Sequence, residues 1–106
     1  MQLHTLKKVT IVTEDSLKNE LKRKICELGA SGFTCREVQG YGSRGARSDA
    51  FASNVEFEVI CPESVAHAIL TFVSHHYFEQ YACIAWLSDV QVVRGARYAE
   101  PVGTTP

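Results

Sequence analysis

Apolar positions along the chain change period several times, and each change marks an element. Residues 6–13 (LKKVTIVT) end in a β-branched run that predicts a strand, with Asp15 or Ser16 placed to cap the helix that follows. In that helix Leu17, Leu21, Ile25 and Leu28 recur every three or four residues and share one face, while Lys18, Glu20, Lys22, Arg23 and Lys24 occupy the rest. Gly29 and Gly32 suit the left-handed geometry that closes a helix. Phe33 to Val38 then supplies a second strand, and NVEFEVI at 54–60 sets Val55, Phe57 and Val59 against Glu56 and Glu58, a strand wet on one face. Pro62 fits the first turn of a second helix, where its missing N–H costs nothing, and Val65, Ile69, Phe72 and Val73 form the buried stripe. A last strand region, CIAWLSDVQVVR at 83–94, is expected to break near Ser88-Asp89, and a Gly-, Pro- and Thr-bearing tail follows. The order β-α-β-β-α-β predicts an α+β protein whose simplest closure is a ferredoxin-like sandwich.

Composition narrows the class. A chain of 106 residues has room for one domain, expected at 1–98 with a loop at about 40–54 and a flexible tail at 99–106. With 45% hydrophobic and 22% charged residues it is ordinary globular material. Eleven Lys and Arg against twelve Asp and Glu leave a formal charge of −1, which gives no general footing for nucleic acid or acidic lipid. The opening MQLHTLKK lacks a signal-peptide core and no apolar run approaches a membrane span, so a cytoplasmic protein without membrane insertion is expected. Cys26, Cys35, Cys61 and Cys83 are far apart and without metal spacing, and they read as buried free thiols. His75-His76 gains no third ligand at a supporting spacing, so no metal is expected; Glu56 and Glu58 have no nucleophile beside them.

The candidate chemistry lies in Gly40-Tyr41-Gly42-Ser43-Arg44-Gly45-Ala46-Arg47. Glycines let backbone amides approach a ligand, and two guanidinium groups three residues apart can converge on one anion, so the expected ligand is a phosphorylated small molecule. Ser43 and the Gly42 amide would add hydrogen bonds. Thr13 reads either as a contact to a purine or ribose or as a helix cap, and the segment from Ala82 through Cys83 and Ile84 to Trp86 either as backbone offered to adenine or as plain core strand. Holding such an anion is the first expectation. A phosphate-handling enzyme of acylphosphatase type and an RNA-binding βαββαβ module are the alternatives, although the chain shows no general base and NVEFEVI puts Glu where stacking rings would be needed.

Residues 25–47 resemble the PII signal-transduction superfamily, on Gly32-Phe33-Thr34 and Glu37-Val38-Gln39-Gly40-Tyr41-Gly42 at the base of its T-loop; the likeness runs from residue 7 to 98. The glycine/lysine run that holds ATP phosphates in PII proteins of the nitrogen pathway is replaced here by Tyr81-Ala82-Cys83-Ile84-Ala85-Trp86, and the shorter T-loop has no Tyr between Ser43 and Asn54. Gly42-Ser43-Arg44, Arg47-Ser48, Tyr77-Phe78 and Tyr81-Ala82 look more like the PII-like regulators of inorganic carbon, the SbtB-type and carboxysome-associated proteins. The resemblance implies a non-enzymatic homotrimer that binds ADP, AMP or cyclic AMP, and bicarbonate, in clefts between subunits. It carries Arg44 and Arg47 over as phosphate ligands, and Arg94 and Arg97 as a basic end that crosses to the nucleotide cleft, with Arg47, Arg94 and Arg97 as bicarbonate candidates. It further implies a partner such as a bicarbonate transporter or a carboxysome component, and carboxysome association. A disulfide-switched tail is not expected, since Gly95 to Pro106 has no cysteine.

Overall fold

Each amphipathic stretch becomes an element that turns its apolar side inward. In the computed structural model, which describes residues 1–40 and 53–99, the elements are β1 (His4–Glu14), a 3-10 turn (Asp15–Leu17), α1 (Lys18–Glu27), β2 (Thr34–Gln39), β3 (Ser53–Cys61), α2 (Glu63–His76), β4 (Cys83–Val92) and a short α3 (Ala96–Ala99). The strands form one sheet in the order β2-β3-β1-β4, with all three neighbouring pairs antiparallel. This is the α+β ferredoxin-like arrangement. The expected tail and most of the loop lie outside the described residues, including Tyr41, Gly42, Ser43, Arg44 and Arg47.

One face of the sheet carries the core. Val9, Ile11, Val55, Phe57, Val59 and Cys61 meet Leu21 and Ile25 of α1 and Val65, Ala66, Ile69 and Val73 of α2, all essentially buried. Register sets this division: Val9 faces Val59, Ile11 faces Phe57 and Thr13 faces Val55, so their neighbours Lys8, Thr10, Val12, Glu56 and Glu58 project from the opposite face. There Arg36 donates twice to Glu56 Oε1, at 2.9 and 3.1 Å, and Lys8 lies 3.7 Å from Glu58. The two carboxylates are thus held in ion pairs across strands.

Several local expectations are corrected. Neither Asp15 nor Ser16 caps α1; the chain makes a 3-10 turn instead, and no side chain bonds either helical start. Gly29, and not Gly32, closes the helix: its φ of 114° is the one positive value among the described residues. Gly29 N–H bonds Cys26 O at 3.1 Å and Ala30 N–H bonds Ile25 O at 3.3 Å, the paired bonds of a Schellman motif. Pro62 stands just before α2 as its N-cap. β4 runs unbroken through Ser88-Asp89, because both sit on an edge strand where polar groups reach water and Lys7 pairs with Asp89. Cys26 is exposed on α1; of the four thiols only Cys61 is fully buried.

Candidate functional site

Antiparallel pairing gathers one end of every strand at the same edge of the sheet. β1 ends there at Thr13 and Glu14, β2 at Gln39 before Gly40, β3 begins there at Ser53 and Asn54, and β4 begins at Cys83. The loop between 40 and 53 therefore leaves and re-enters the sheet at the end that also holds the Ala82–Ile84 segment. Two of the separate stretches singled out in the sequence are brought to one end of the fold in this way. Gly40 itself is exposed, and a Cβ there would meet only Asn54 Nδ2 at 3.9 Å.

Thr13 turns inward. It is 1% exposed, and its hydroxyl donates to the Ala82 carbonyl at 3.2 Å, so it serves the Ala82 segment from behind instead of reaching into a cleft or capping a helix. Glu14 completes the attachment: Ala82 N–H donates to its Oε2 at 2.7 Å. Ala82, expected to offer its backbone N–H and C=O outward, has both taken by side chains of β1. Cys83 lies half-buried beside this pair; burial pushes its thiol up, the Thr13 hydroxyl opposes that shift and the charge of Glu14 adds to it. Ile84 is 60% exposed and Trp86 46% exposed on the open face of the sheet, where they pair in register with Val12 and Thr10.

The approach to Ala82 is also fixed. Tyr81 N–H and Gln80 N–H both bond the Tyr77 carbonyl, at 2.9 and 3.2 Å, in a turn that closes α2. The buried Tyr77 ring packs edge-on against Tyr81 and Phe72, and its hydroxyl donates to Glu20 Oε1 at 2.6 Å, tying α2 to α1. Burial, with the Glu20 bond and charge second, raises the Tyr77 phenol well above its ordinary value. Glu14 escaped the sequence reading, Glu20 entered it only as part of a polar helix face and Tyr77 only through the family resemblance, since each bonds a partner 57 or more residues away.

Arg94 and Arg97 occupy the opposite end of the sheet. β4 spans ten residues, so nine steps of about 3.3 Å put roughly 30 Å between Cys83 and Val92, with Arg94 beyond that. Arg94 O accepts from Arg97 N–H at 3.0 Å in the turn leading into α3, and both side chains are exposed. Gly95 between them is buried under His4: a Cβ there would stand 2.3 Å from the imidazole Cγ. His76, one of the adjacent histidines, stacks on Phe72 and has Nδ1 at 3.0 Å from the Phe72 carbonyl. Among the described residues no three of His, Cys, Asp and Glu gather at metal-binding distance, and no helix is long and apolar enough to cross a membrane.

Known structures share this arrangement of strands and helices. A PII-like signaling protein of Thermus thermophilus is 44% identical, with a TM-score of 0.80 over 93% of this chain and 100% of that one. CPII from Thiomonas intermedia, a nitrogen regulatory PII-like protein, superposes in its form bound to ADP, AMP and acetate at a TM-score of 0.81 and 20% identity, over 94% and 100% of the two chains. Its form bound to ADP and bicarbonate matches at 0.78 and 24%, over 92% and 97%. These two likenesses concern the fold. The family model described as nitrogen regulatory protein P-II matches residues 6–97, from within β1 to the start of α3. With that match and the 44% identical relative, the chain belongs to the nitrogen regulatory P-II family of regulatory proteins.

Proposed function

We propose that this chain senses an adenine nucleotide, ADP, AMP or cyclic AMP, in clefts between the subunits of a homotrimer, and that bicarbonate enters the same basic cleft. The observation that carries this reading is the separation within one chain: the loop and Ala82 stand at one end of the sheet, Arg94 and Arg97 at the other, about 30 Å away. A second copy is needed to bring the two halves together. The open sheet face, with Ile84 and Trp86 exposed, offers apolar surface for that contact. CPII, of the same fold, holds ADP, AMP and bicarbonate.

In this reading the phosphates lie against the main-chain amides of 40–42 and the guanidinium groups of Arg44 and Arg47. Ser43 and Tyr41 flank them, Ala82, Cys83 and Ile84 line the base, and Thr13 supports that lining. Arg94 and Arg97 of a neighbouring copy face the bound anion. A ligand that prefers the ordered loop offsets the entropy of ordering it, which converts occupancy into a shape a partner can read. The inorganic-carbon resemblance suggests a bicarbonate transporter or carboxysome component as that partner.

Calorimetry against AMP, ADP, ATP and cyclic AMP, with and without bicarbonate, tests the proposal. Wild type should bind at least one adenine nucleotide, and Arg47→Ala should weaken it about ten- to a hundred-fold, the worth of one charge-assisted hydrogen bond. Absence of binding to all four, or undiminished binding by an Arg44→Ala/Arg47→Ala variant, refutes it.

A further inference from the structure

We infer that Glu14 is a positioning residue of the nucleotide site, holding the Ala82–Ile84 segment in a fixed place relative to the base of the loop; this rests on the nucleotide-binding reading above. The last residue pair of the β1–β4 ladder is Thr13 with Cys83. One step further, strand pairing gives way to side-chain attachment. Ala82 N–H meets Glu14 Oε2 at 2.7 Å, and Ala82 C=O meets Thr13 Oγ1 at 3.2 Å. Two consecutive side chains of β1 therefore satisfy both polar groups of Ala82 beyond the end of the ladder, where an unpaired half-buried amide would otherwise be costly.

Position makes this more than a local bond. Glu14 pairs in register with Asn54 on β3, and Asn54 pairs with Val38 on β2, two residues before Gly40. The carboxylate thus stands on the strand between the loop base on one side and Ala82 on the other. Because Tyr81 is already tied back to Tyr77, Ala82 is the joint between a closed turn and the first residue of β4, and Glu14 is what sets its place. The hydrogen-bonding oxygen does the positioning. The negative charge strengthens a bond that a neutral carbonyl oxygen also accepts, and it would oppose a phosphate bound nearby.

That division is testable with two variants. Glu14→Gln keeps a carbonyl acceptor for Ala82 N–H and removes the charge, so it should bind the adenine nucleotide at least as tightly as wild type. Glu14→Ala removes the acceptor and should weaken binding about ten-fold, in line with the loss of a charge-assisted bond at a site that positions a ligand. Amide exchange at Ala82, measured without ligand, should quicken in Glu14→Ala and stay near wild type in Glu14→Gln, while slowly exchanging amides of β1 and β3 stay protected and report an intact fold. Wild-type affinity in Glu14→Ala overturns the inference, as does equal weakening in both variants. If wild type binds no adenine nucleotide, the parent reading fails and this one with it; if wild type binds and only the variants disagree, Glu14 alone is reassigned.

Discussion

Alkaline pH should destabilise this fold, and one contribution comes from a buried thiol. Cys61, at the end of β3, is 1% exposed, and burial pushes its thiol up to about 11 from an ordinary value of 9.0. Below the unfolded value both states keep the proton and the thiol adds no pH dependence. Above it the unfolded chain releases a proton that the folded chain still holds, so stability declines by about 1.4 kcal/mol per pH unit until the folded value is reached. The loss attributable to Cys61 is about 1.4 kcal/mol at pH ~10, and on the order of 3 kcal/mol above pH ~11. Tyr77 and Cys83, whose values are also raised, bend the curve the same way, so a variant must isolate Cys61. Cys61→Ala leaves a small cavity that costs stability equally at every pH and cancels in the comparison. Urea unfolding under reducing conditions at one protein concentration, at pH ~7 and pH ~10, should show wild type losing about 1.4 kcal/mol more than the variant. Equal losses would show that the burial of Cys61 does not hold its proton, and the reasoning would fail.

Two further outcomes follow from surfaces at opposite ends of the packing scale. Gly95→Ala puts a methyl group 2.3–2.5 Å from Cβ, Cγ and Cδ2 of His4, so the start of β1 must shift; thermal unfolding should show a loss of about 1–3 kcal/mol, most of it recovered by His4→Gly in the same chain. Unchanged stability would mean that His4 swings aside freely. Trp86→Glu changes a half-exposed residue on the open sheet face, and sedimentation should report smaller particles with the far-ultraviolet spectrum retained; an unaltered sedimentation profile would move the subunit contact elsewhere.

Elements with strong period were legible from the chain. The Leu17, Leu21, Ile25 stripe and the Val55, Phe57, Val59 alternation both record which side faces the core, and the structure buries all six. Gly29 was legible because only a residue without Cβ takes its φ cheaply. The polar pair Ser88-Asp89 misled, since a strand at a sheet edge has water beside it and no need to be apolar. The candidate site was visible as composition in Gly40 to Arg47, yet its neighbours were not. Glu14 and Ala82 meet only because β4 lies against β1, and nothing local to either residue signals a bond made across 68 positions. Nor does the sequence tell that, within one chain, ten residues of extended strand separate Arg94 from the end of the sheet that holds the loop base.

The strand order has a consequence for what survives a cut. Residues before the loop supply β1 and β2, which are never neighbours, and residues after it supply β3 and β4, which are never neighbours either. Proteolysis between positions 40 and 53 would leave two pieces, each holding alternate staves of the same sheet. Neither piece closes a ladder alone, so the nicked molecule should stay joined as a non-covalent pair, and the two pieces made separately should regain structure only on mixing.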